Sequence, residues 1–328
     1  MPLVLLTHTL PNDWIASLKG KVHAVAGPLD ATRLAPELDS NLAEAEGLLC
    51  LLTVPVREDL LVRAPSLRVV SNMAVGVDNV DVAACTARGI PVGNTPGVLT
   101  DATADLTMAI LLSAARRLPE SAQDARAGLW KTWSPTGWLG ADLRGATLGI
   151  VGMGKIGRAV AERARGFGLQ IAYTDTSPRP DVEAHSLSLG ATFLSFDELI
   201  RLSDFVSLHC PLTSETRGLI NESALRKMKP TAILVNAARG PVVDTAALTR
   251  ALSEGWIAAA ALDVTDPEPL PVDHPLYSLP NCLIVPHIGS ATRGTRKRMA
   301  EMACENLLAG LEGRRLPYCV NPEVYQAK

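Results

Sequence analysis

The chain has 328 residues, of which 47% are hydrophobic and 20% are charged, and its formal net charge at pH 7 is −3. This length predicts two domains with sizeable cores, and the lack of a dense basic cluster argues against a nucleic-acid-binding protein. Six scattered cysteines without a C-x-x-C spacing predict reduced thiols, a cytoplasmic location and no metal site. The apolar run at 3–6 has no signal-peptide features, and no run is long enough to span a membrane.

The first hundred residues alternate predicted strands with predicted helices. This alternation predicts a small parallel sheet that binds ligands at the carboxyl ends of its strands. The turn at Val75 and Gly76 follows a strand and can offer main-chain N–H groups to an anion, although it can equally be a plain strand-to-helix connection. The strands are predicted at 3–7, 22–26, 47–52 and 67–71, and the helices at 13–19 and 34–45.

A Pro- and Gly-rich stretch at 91–97 is the predicted linker into the second domain. A helix is predicted at 100–117, capped by Thr100 or Asp101. This helix is apolar on most faces, which predicts burial on all sides, and a subunit interface is one way to achieve it.

Three tryptophans follow this helix within nine positions. Such large side chains are costly to leave in water, so we expect them to pack against other protein atoms. A partner subunit could cover them, or they could form a lid over the core of their own chain. The three residues are Trp130, Trp133 and Trp138.

A glycine-rich motif, G-x-G-x-x-G, directly follows the apolar strand predicted at 147–151. Gly152 suits a tight turn, Gly154 lets the main chain approach a pyrophosphate, and Gly157 allows close packing of helix on strand. Asp175 ends the next predicted strand roughly 20 residues later, where a ribose-binding carboxylate is expected. The motif therefore predicts a dinucleotide-binding unit.

Three polar residues lie at or just after predicted strand ends in the second half of the chain. His287 suits a proton donor to a ketone oxygen, because the charge of imidazole changes near neutral pH. Arg239 suits the binding of a carboxylate, and Glu268 would orient the imidazole and favour its protonated form. Each residue alone has a structural explanation, but together with a dinucleotide site they favour a hydroxyacid dehydrogenase. The remaining strands are predicted at 205–210, 232–236, 258–262 and 282–286, and helices at 194–202, 245–254 and 292–313.

Six stretches that are spread along the chain from residue 71 to residue 292 resemble the D-isomer-specific 2-hydroxyacid dehydrogenases, and most of all their glyoxylate and hydroxypyruvate reductases. The resemblance implies reduction of a small 2-keto acid to the D-2-hydroxy acid, with Arg239, Glu268 and His287 as the catalytic residues and His287 as the general acid and base. The stretches are 71–79, 94–101, 151–157, 236–240, 262–271 and 286–292.

The resemblance also implies binding residues for substrate and cofactor. The Val75 and Gly76 N–H groups would bind the substrate carboxylate, with Asp263 near the nicotinamide. Together with Arg239 and His287, the substrate-pocket candidates are Leu51, Met73 and Trp138. A homodimer formed through residues 100–118 is also implied, and Trp138 would come from either the same chain or the partner. The predicted cofactor-binding residues are Thr103, Gly152, Gly154, Lys155, Ile156, Gly157, Asp175, Pro211, Thr216, Ala237, Ala238, Arg239, Asp263, His287 and Gly289.

The implied fold is α/β, with two Rossmann-like domains built on doubly wound parallel sheets. A discontinuous substrate-binding domain would comprise residues 1–97 and 289–328, and a dinucleotide-binding domain residues 98–288. NADPH-dependent reductases of this kind usually carry an Arg or Ser-Arg after the second strand of the cofactor domain. This chain has Asp175 there, which favours NAD(H) over NADP(H), although Arg179 could still reach a phosphate.

Other functions remain open from the sequence. A dinucleotide-sensing corepressor shares the implied fold, but such proteins carry long flexible extensions that we do not find. Phosphite dehydrogenases place a lysine where Val75 stands, and many phosphoglycerate dehydrogenases carry an extra regulatory domain. Which 2-keto acid is preferred depends on one or two side chains worth about 1–3 kcal/mol each, and the sequence does not identify it.

Overall fold

A computed structural model describes residues 1–183 and 190–326, and these residues form two compact units. One unit comprises Met1–Leu99 and Ala291–Lys328, and the other Thr100–Ser290. Of the ranges predicted for the two domains, residues 184–189, 327 and 328 lie outside the described part. The roles assigned to the two units above remain predictions.

The elements alternate along the chain as a βα fold requires. The strands are β1 Leu3–Leu6, β2 His23–Ala26, β3 Gly47–Cys50, β4 Val69–Asn72, β5 Val92–Gly93, β6 Thr147–Val151, β7 Gln170–Thr174, β8 Thr192–Phe193, β9 Phe205–Leu208, β10 Ile233–Asn236, β11 Ala259–Leu262 and β12 Cys282–Ile284. The helices are α1 Pro36–Asp39, α2 Glu58–Arg63, α3 Val82–Ala87, α4 Thr100–Ala115, α5 Leu118–Arg126, α6 Lys155–Gly166, α7 Pro180–Glu183, α8 Phe196–Leu202, α9 Glu222–Lys227, α10 Thr245–Ser253 and α11 Arg293–Leu311.

The first unit contains a five-stranded parallel sheet with the order β2-β1-β3-β4-β5. Helix α11 packs against β3 and β4, and small residues allow the close approach. A Cβ atom on Gly310 would lie 2.5 Å from the side chain of Val69, and one on Gly47 would lie 2.9 Å from Leu307. The C-terminal helix therefore belongs to the same core as the first hundred residues.

The second unit contains a seven-stranded parallel sheet with the order β12-β11-β10-β9-β6-β7-β8. Its central strands β6, β9, β10 and β11 are buried on both faces, as parallel strands covered by helices on both sides must be, whereas the edge strands β8 and β12 are more exposed. In β10, Leu234 packs with α8, α9 and α10, whereas Ile233 and Val235 pack with α4 and α6. The strand order reverses between β6 and β9, and ligands of doubly wound sheets bind at such a reversal. The predicted fold class, two α/β units with parallel sheets, is confirmed.

Two predicted helices of the first unit are wrong in extent. Residues 13–19 contain only the short 3₁₀ turn Ala16–Leu18, and within 34–45 the helix is limited to α1. The side chains of Ser40 and Asn41 both donate to the carbonyl of Glu37, at 3.1 and 2.8 Å. Local side-chain bonds of this kind compete with helix propagation, and this explains why α1 stops after four residues.

Helix α4 and two of the tryptophans after it have exposed surface in the single chain. Asp101, Asp105 and Ala109 of α4 are exposed, so the rest of this chain does not bury the helix on all sides. Trp130 and Trp133 are 74% and 79% exposed. The tryptophans therefore do not form a lid over the core of their own chain.

Among the described residues, no helix combines the length and apolar character needed to cross a membrane.

Candidate active site

The glycine-rich loop after β6 shows which of its glycines the chain itself requires. Gly152 has φ +96°, and a Cβ there would lie 2.7 Å from the main-chain nitrogen of Cys210. A Cβ on Gly157 would lie 2.2 Å from the carbonyl oxygen of Gly152. At Gly154 a Cβ would meet no protein atom within 4 Å. Packing of the chain therefore explains the outer two glycines, and the middle one suits the close approach of a ligand.

Helix α6 begins directly at this loop, with Gly154 as its N-cap residue and no side chain capping it. The first N–H groups of a helix have no partner within the helix and, with the helix dipole, favour an anion. Lys155 and Ile156 occupy this first turn. The loop and helix start thus fit the pyrophosphate of a dinucleotide, as the chemistry of the motif requires.

Asp175 follows β7 and faces the same loop. Its carboxylate accepts hydrogen bonds from the N–H groups of Met153 at 3.1 Å and Thr176 at 2.7 Å, and it pairs with Arg179 at 3.3 Å. Burial alone would raise the pKa of Asp175, but these hydrogen bonds and the charge of Arg179 outweigh burial and lower it. Asp175 is therefore a carboxylate at neutral pH, able to accept hydrogen bonds from a ribose diol.

The loops after β9 and β10 extend this edge of the sheet. After β9, the Thr216 hydroxyl donates to the carbonyl of Pro211 at 2.6 Å, which closes the loop into a compact turn. After β10, the buried Asn236 accepts from the N–H of Ala238 at 3.0 Å and donates to the carbonyl of Arg239 at 2.9 Å. Asn236 thereby holds the loop that contains Ala237, Ala238 and Arg239. Asn236 was not among the predicted site residues. Its position at the carboxyl end of the strand predicted at 232–236 could have indicated that it belongs to the site.

Thr103, Asp263 and Gly289 meet at one place beyond the ends of β11 and β12. The Asp263 carboxylate accepts from the N–H groups of Ile288 at 2.6 Å and Gly289 at 2.9 Å. The Thr103 hydroxyl donates to the carbonyl of Gly289 at 3.3 Å, and a Cβ on Gly289 would lie 3.0 Å from Asp263 Oδ2. Burial raises the pKa of the Asp263 carboxyl, and the two N–H donors partly offset this effect.

His287 and Glu268 form an ion-pair geometry at the same edge. The imidazole Nδ1 lies 2.6 Å from Glu268 Oε1, and the N–H of Thr265 donates to Glu268 Oε2 at 3.3 Å. His287 has φ +50°, and its main-chain N–H donates to the carbonyl of Asp263 at 2.9 Å. With Nδ1 directed at the carboxylate, Nε2 is the nitrogen left to carry a proton to or from a ligand.

The loop of Arg239 packs directly on the turn that carries Glu268. A Cβ on Gly240 would lie 1.8 Å from the carbonyl oxygen of Thr265, so only glycine allows this contact. The guanidinium of Arg239 donates to the carbonyl of Ala238 at 2.8 Å. The second unit thus brings the loops of Arg239, Glu268 and His287 to the carboxyl edge of one sheet.

The substrate-pocket candidates of the first unit lie at the carboxyl edge of its own sheet. Leu51 directly follows β3, and Met73, Val75 and Gly76 follow β4. Trp138 belongs to the second unit, where the guanidinium of Arg117 lies 4.7 Å from the centre of its ring. Within the described residues, no group of three or more His, Cys, Asp and Glu side chains could hold a metal ion.

Comparison with known proteins places this geometry in context. Residues 108–289 match the family model described as "D-isomer specific 2-hydroxyacid dehydrogenase, NAD binding domain". The glyoxylate reductase of Aeropyrum pernix is 52% identical over 293 residues, which are 88% of this chain and 87% of that protein. The glyoxylate reductase of Thermococcus kodakarensis is 47% identical over 331 aligned positions, covering 100% and 98% of the two chains. The crystal structure of the TT0316 protein from Thermus thermophilus has a TM-score of 0.89 and 49% identity, covering 97% and 99%.

Proposed function

Because the chain belongs to the D-isomer specific 2-hydroxyacid dehydrogenase family and is an NAD(P)-dependent oxidoreductase, we propose that it reduces glyoxylate to glycolate and hydroxypyruvate to its D-2-hydroxy acid. The relatives named glyoxylate reductase, at 47% and 52% identity, support this substrate class. The observation that carries the proposed mechanism is the 2.6 Å contact of His287 with Glu268. It gives an imidazole a fixed orientation and a second nitrogen to hold a proton.

In this proposal a nicotinamide dinucleotide held at the glycine-rich loop would supply the hydride for the carbonyl carbon of the keto acid. His287 holds a proton at Nε2 and transfers it to the carbonyl oxygen, so that hydride and proton together convert the carbonyl group to the alcohol. The Glu268 carboxylate accepts a hydrogen bond from Nδ1–H at 2.6 Å, so the imidazole keeps its orientation before and after the transfer. For oxidation of the hydroxy acid, the same nitrogen accepts the proton.

Arg239 and the turn at Val75 and Gly76 would bind the substrate carboxylate. A guanidinium holds a carboxylate through two parallel hydrogen bonds and keeps its charge at any working pH. The main-chain N–H groups of the turn add donors without adding net charge. Leu51, Met73 and Trp138 would line the rest of the pocket and distinguish glyoxylate from larger keto acids.

We propose NADH as the preferred cofactor. The Asp175 carboxylate is charged and lies beside the glycine-rich loop, so it would accept hydrogen bonds from a ribose diol and repel a 2′-phosphate. Arg179 is paired with Asp175 at 3.3 Å, and this pairing opposes its use as a phosphate ligand.

A substrate panel with both cofactors tests the proposal. We expect oxidation of NADH with glyoxylate and hydroxypyruvate, and a kcat/KM for NADPH lower than that for NADH. A protein that oxidises neither cofactor with any small 2-keto acid would refute the activity. A higher kcat/KM with NADPH would refute only the cofactor preference.

We propose that the enzyme is a homodimer that works in the cytoplasm. Trp130 and Trp133 are too exposed in a single chain for their apolar area, which supports burial against a second copy. Replacement of both by glutamate should convert a dimer to a monomer in sedimentation equilibrium. An unchanged dimer would place the interface elsewhere. The six free cysteines support a reducing compartment.

A further inference from the structure

Three consecutive carbonyl groups in the turn after β4 accept hydrogen bonds from within the first unit. The carbonyl of Ala74 accepts from the Thr95 N–H at 2.9 Å. The carbonyl of Val75 accepts from Asn94 Nδ2 at 2.8 Å, and that of Gly76 from Asn72 Nδ2 at 2.9 Å. In a planar trans peptide the N–H points away from the carbonyl of the same peptide. Each of these bonds therefore fixes the direction of the following N–H as well.

The N–H groups fixed in this way are those of Val75, Gly76 and Val77. All three residues are partly exposed, and in the part of the chain that the structure describes no acceptor is found for these N–H groups. Main-chain donors that lack a protein acceptor are expected to bind water or a ligand. The turn thus presents a row of oriented donors, with its carbonyl oxygens held on the protein side.

A buried pair of amides supports the turn from behind. Asn72 and Asn79 are both buried, and Asn72 Nδ2 donates to Asn79 Oδ1 at 3.1 Å. Asn79 Nδ2 lies 3.2 Å from the carbonyl oxygen of Leu51 and 3.3 Å from that of Val54. The same pair therefore joins the turn at 74–77 to the turn after β3, which carries Leu51.

We propose that Asn72, Asn79 and Asn94 are positioning residues for the binding of the substrate carboxylate. They hold the carbonyl oxygens of the 74–76 turn away from the anion, so that the N–H groups face it without rearrangement. Neutral amides suit this role, because a buried carboxylate in their place would repel the substrate, and a lysine would need a counter-charge. This inference rests on the proposed function, in which the turn binds the carboxylate.

Asn94→Ala is the variant that tests this inference. The main chain of Asn94 is held independently of its side chain, by the Tyr318 carbonyl at 3.1 Å and by Asn306 Nδ2 at 3.0 Å. We therefore expect Asn94→Ala to fold, whereas Asn72 is too deeply buried for a clean test. The KM for glyoxylate should rise about five- to tenfold. The kcat should change by less than about twofold and the Kd for NADH should be unchanged, because these depend on other groups.

Asn281→Ala serves as the matched control. Its amide also donates to two main-chain carbonyls, those of Leu252 at 3.3 Å and Ala258 at 3.0 Å, but at the amino end of β12. The Asn281→Ala variant should leave the KM for glyoxylate unchanged. An equal rise in KM for both variants, or no rise for Asn94→Ala, would overturn the positioning role.

Binding of oxamate, a carboxylate that the enzyme cannot reduce, separates this inference from the proposed function. In one outcome the wild type reduces no keto acid, but Asn94→Ala binds oxamate about fivefold more weakly than the wild type does. This result would refute the activity and support the positioning role. In the opposite outcome the wild type reduces glyoxylate, and both proteins bind oxamate equally well. That result would support the activity and refute the positioning role.

Discussion

The carboxyl edges of the two parallel sheets carry different kinds of polar group. In the seven-stranded sheet the edge carries ionisable side chains, among them Asp175, Asp263 and His287. In the five-stranded sheet the turn after β4 is held by neutral amides, with Asn72 and Asn79 bonded to each other, although the buried and ionisable His8 follows β1 at the same edge. The turn after β4 therefore offers oriented main-chain dipoles, whereas the loops of the other unit offer ionisable side chains.

The difference follows from what each edge would do in the proposed reaction. A group that moves a proton must change its charge, and a carboxylate beside it must remain charged while partly desolvated. Asp263 illustrates the cost, since burial raises its pKa and two N–H donors are needed to oppose the effect. Groups that only orient an anion can stay neutral, and amides meet that need without a charge to desolvate. Substitutions in the two units should consequently affect different kinetic constants.

The largest effect should come from His287→Ala. Removal of the proton donor should lower kcat by about a thousandfold, within the range found for general acid–base catalysis. The Kd for NADH, measured by fluorescence titration, should remain the same, because the glycine-rich loop and Asp175 are untouched. His274→Ala is the control, since its imidazole accepts from the Leu276 N–H at 3.3 Å and caps the 3₁₀ turn Pro275–Ser278. A collapse of NADH affinity in His287→Ala would instead indicate a structural role.

Arg239→Lys should have the next largest effect. Lysine keeps the charge but loses the two-pronged geometry, so kcat/KM for glyoxylate should fall on the order of thirtyfold. Arg226→Lys is the matched control, because Arg226 pairs with Glu222 at 2.9 Å on the surface and should tolerate the change. If steady-state kinetics give the same kcat/KM for Arg239→Lys and wild type, another group binds the carboxylate.

The sequence reveals the dinucleotide loop well because that motif is local. Strand, glycines and helix follow one another within residues 147–166, and the packing of the chain requires glycine at 152 and 157. The position of Asp175 is set by one further strand. Arg239, Glu268 and His287 are far apart in sequence, but each follows a strand of the same parallel sheet. The rule that ligands bind at the carboxyl ends of parallel strands is therefore enough to assign these three residues to one site.

The amide network could not be predicted, since nothing in a sequence tells which carbonyl a given asparagine contacts. Asn94 reaches Val75 only because β5 pairs with β4. The extent of the helix predicted at 34–45 was wrong for a related reason, as Ser40 and Asn41 form local bonds that a hydrophobic pattern does not report. The exposure of Trp130 and Trp133 likewise depends on the path of the chain and not on composition.

Asp175→Asn, at the carboxyl edge of the seven-stranded sheet, should shift the cofactor preference from NADH towards NADPH. Asparagine keeps the size and can still accept from the Met153 N–H, but it no longer repels a 2′-phosphate. The ratio of kcat/KM for NADH to that for NADPH should fall about tenfold, because a change of about 1.4 kcal/mol is tenfold in rate. Asp181→Asn is the control, since this exposed carboxylate pairs with Arg158. A constant ratio in Asp175→Asn would show that Asp175 does not select the cofactor.

The smallest effect should come from Thr95→Val, beside the turn after β4. This substitution should stabilise the folded protein. The Thr95 side chain is fully buried, and its hydroxyl has no hydrogen-bond partner among the described residues. Valine has the same shape without the unpaired polar atom, so the free energy of unfolding should rise by up to about 1 kcal/mol.

Thr107→Val provides the matched comparison for Thr95→Val in the other unit. Thr107 is equally buried, but its hydroxyl donates to the Thr103 carbonyl at 2.7 Å, so its loss should destabilise the protein by about 1 kcal/mol. Thermal unfolding measures both changes. A loss of stability in Thr95→Val would mean that the Thr95 hydroxyl holds a bound water. A raised KM for glyoxylate would mean that this hydroxyl helps the main-chain N–H groups of 75–77 to bind the substrate. Opposite signs for the two threonines would show that the Thr95 hydroxyl, unlike that of Thr107, contributes no stabilising hydrogen bond, so that Thr95 holds the Ala74 carbonyl through its main-chain N–H.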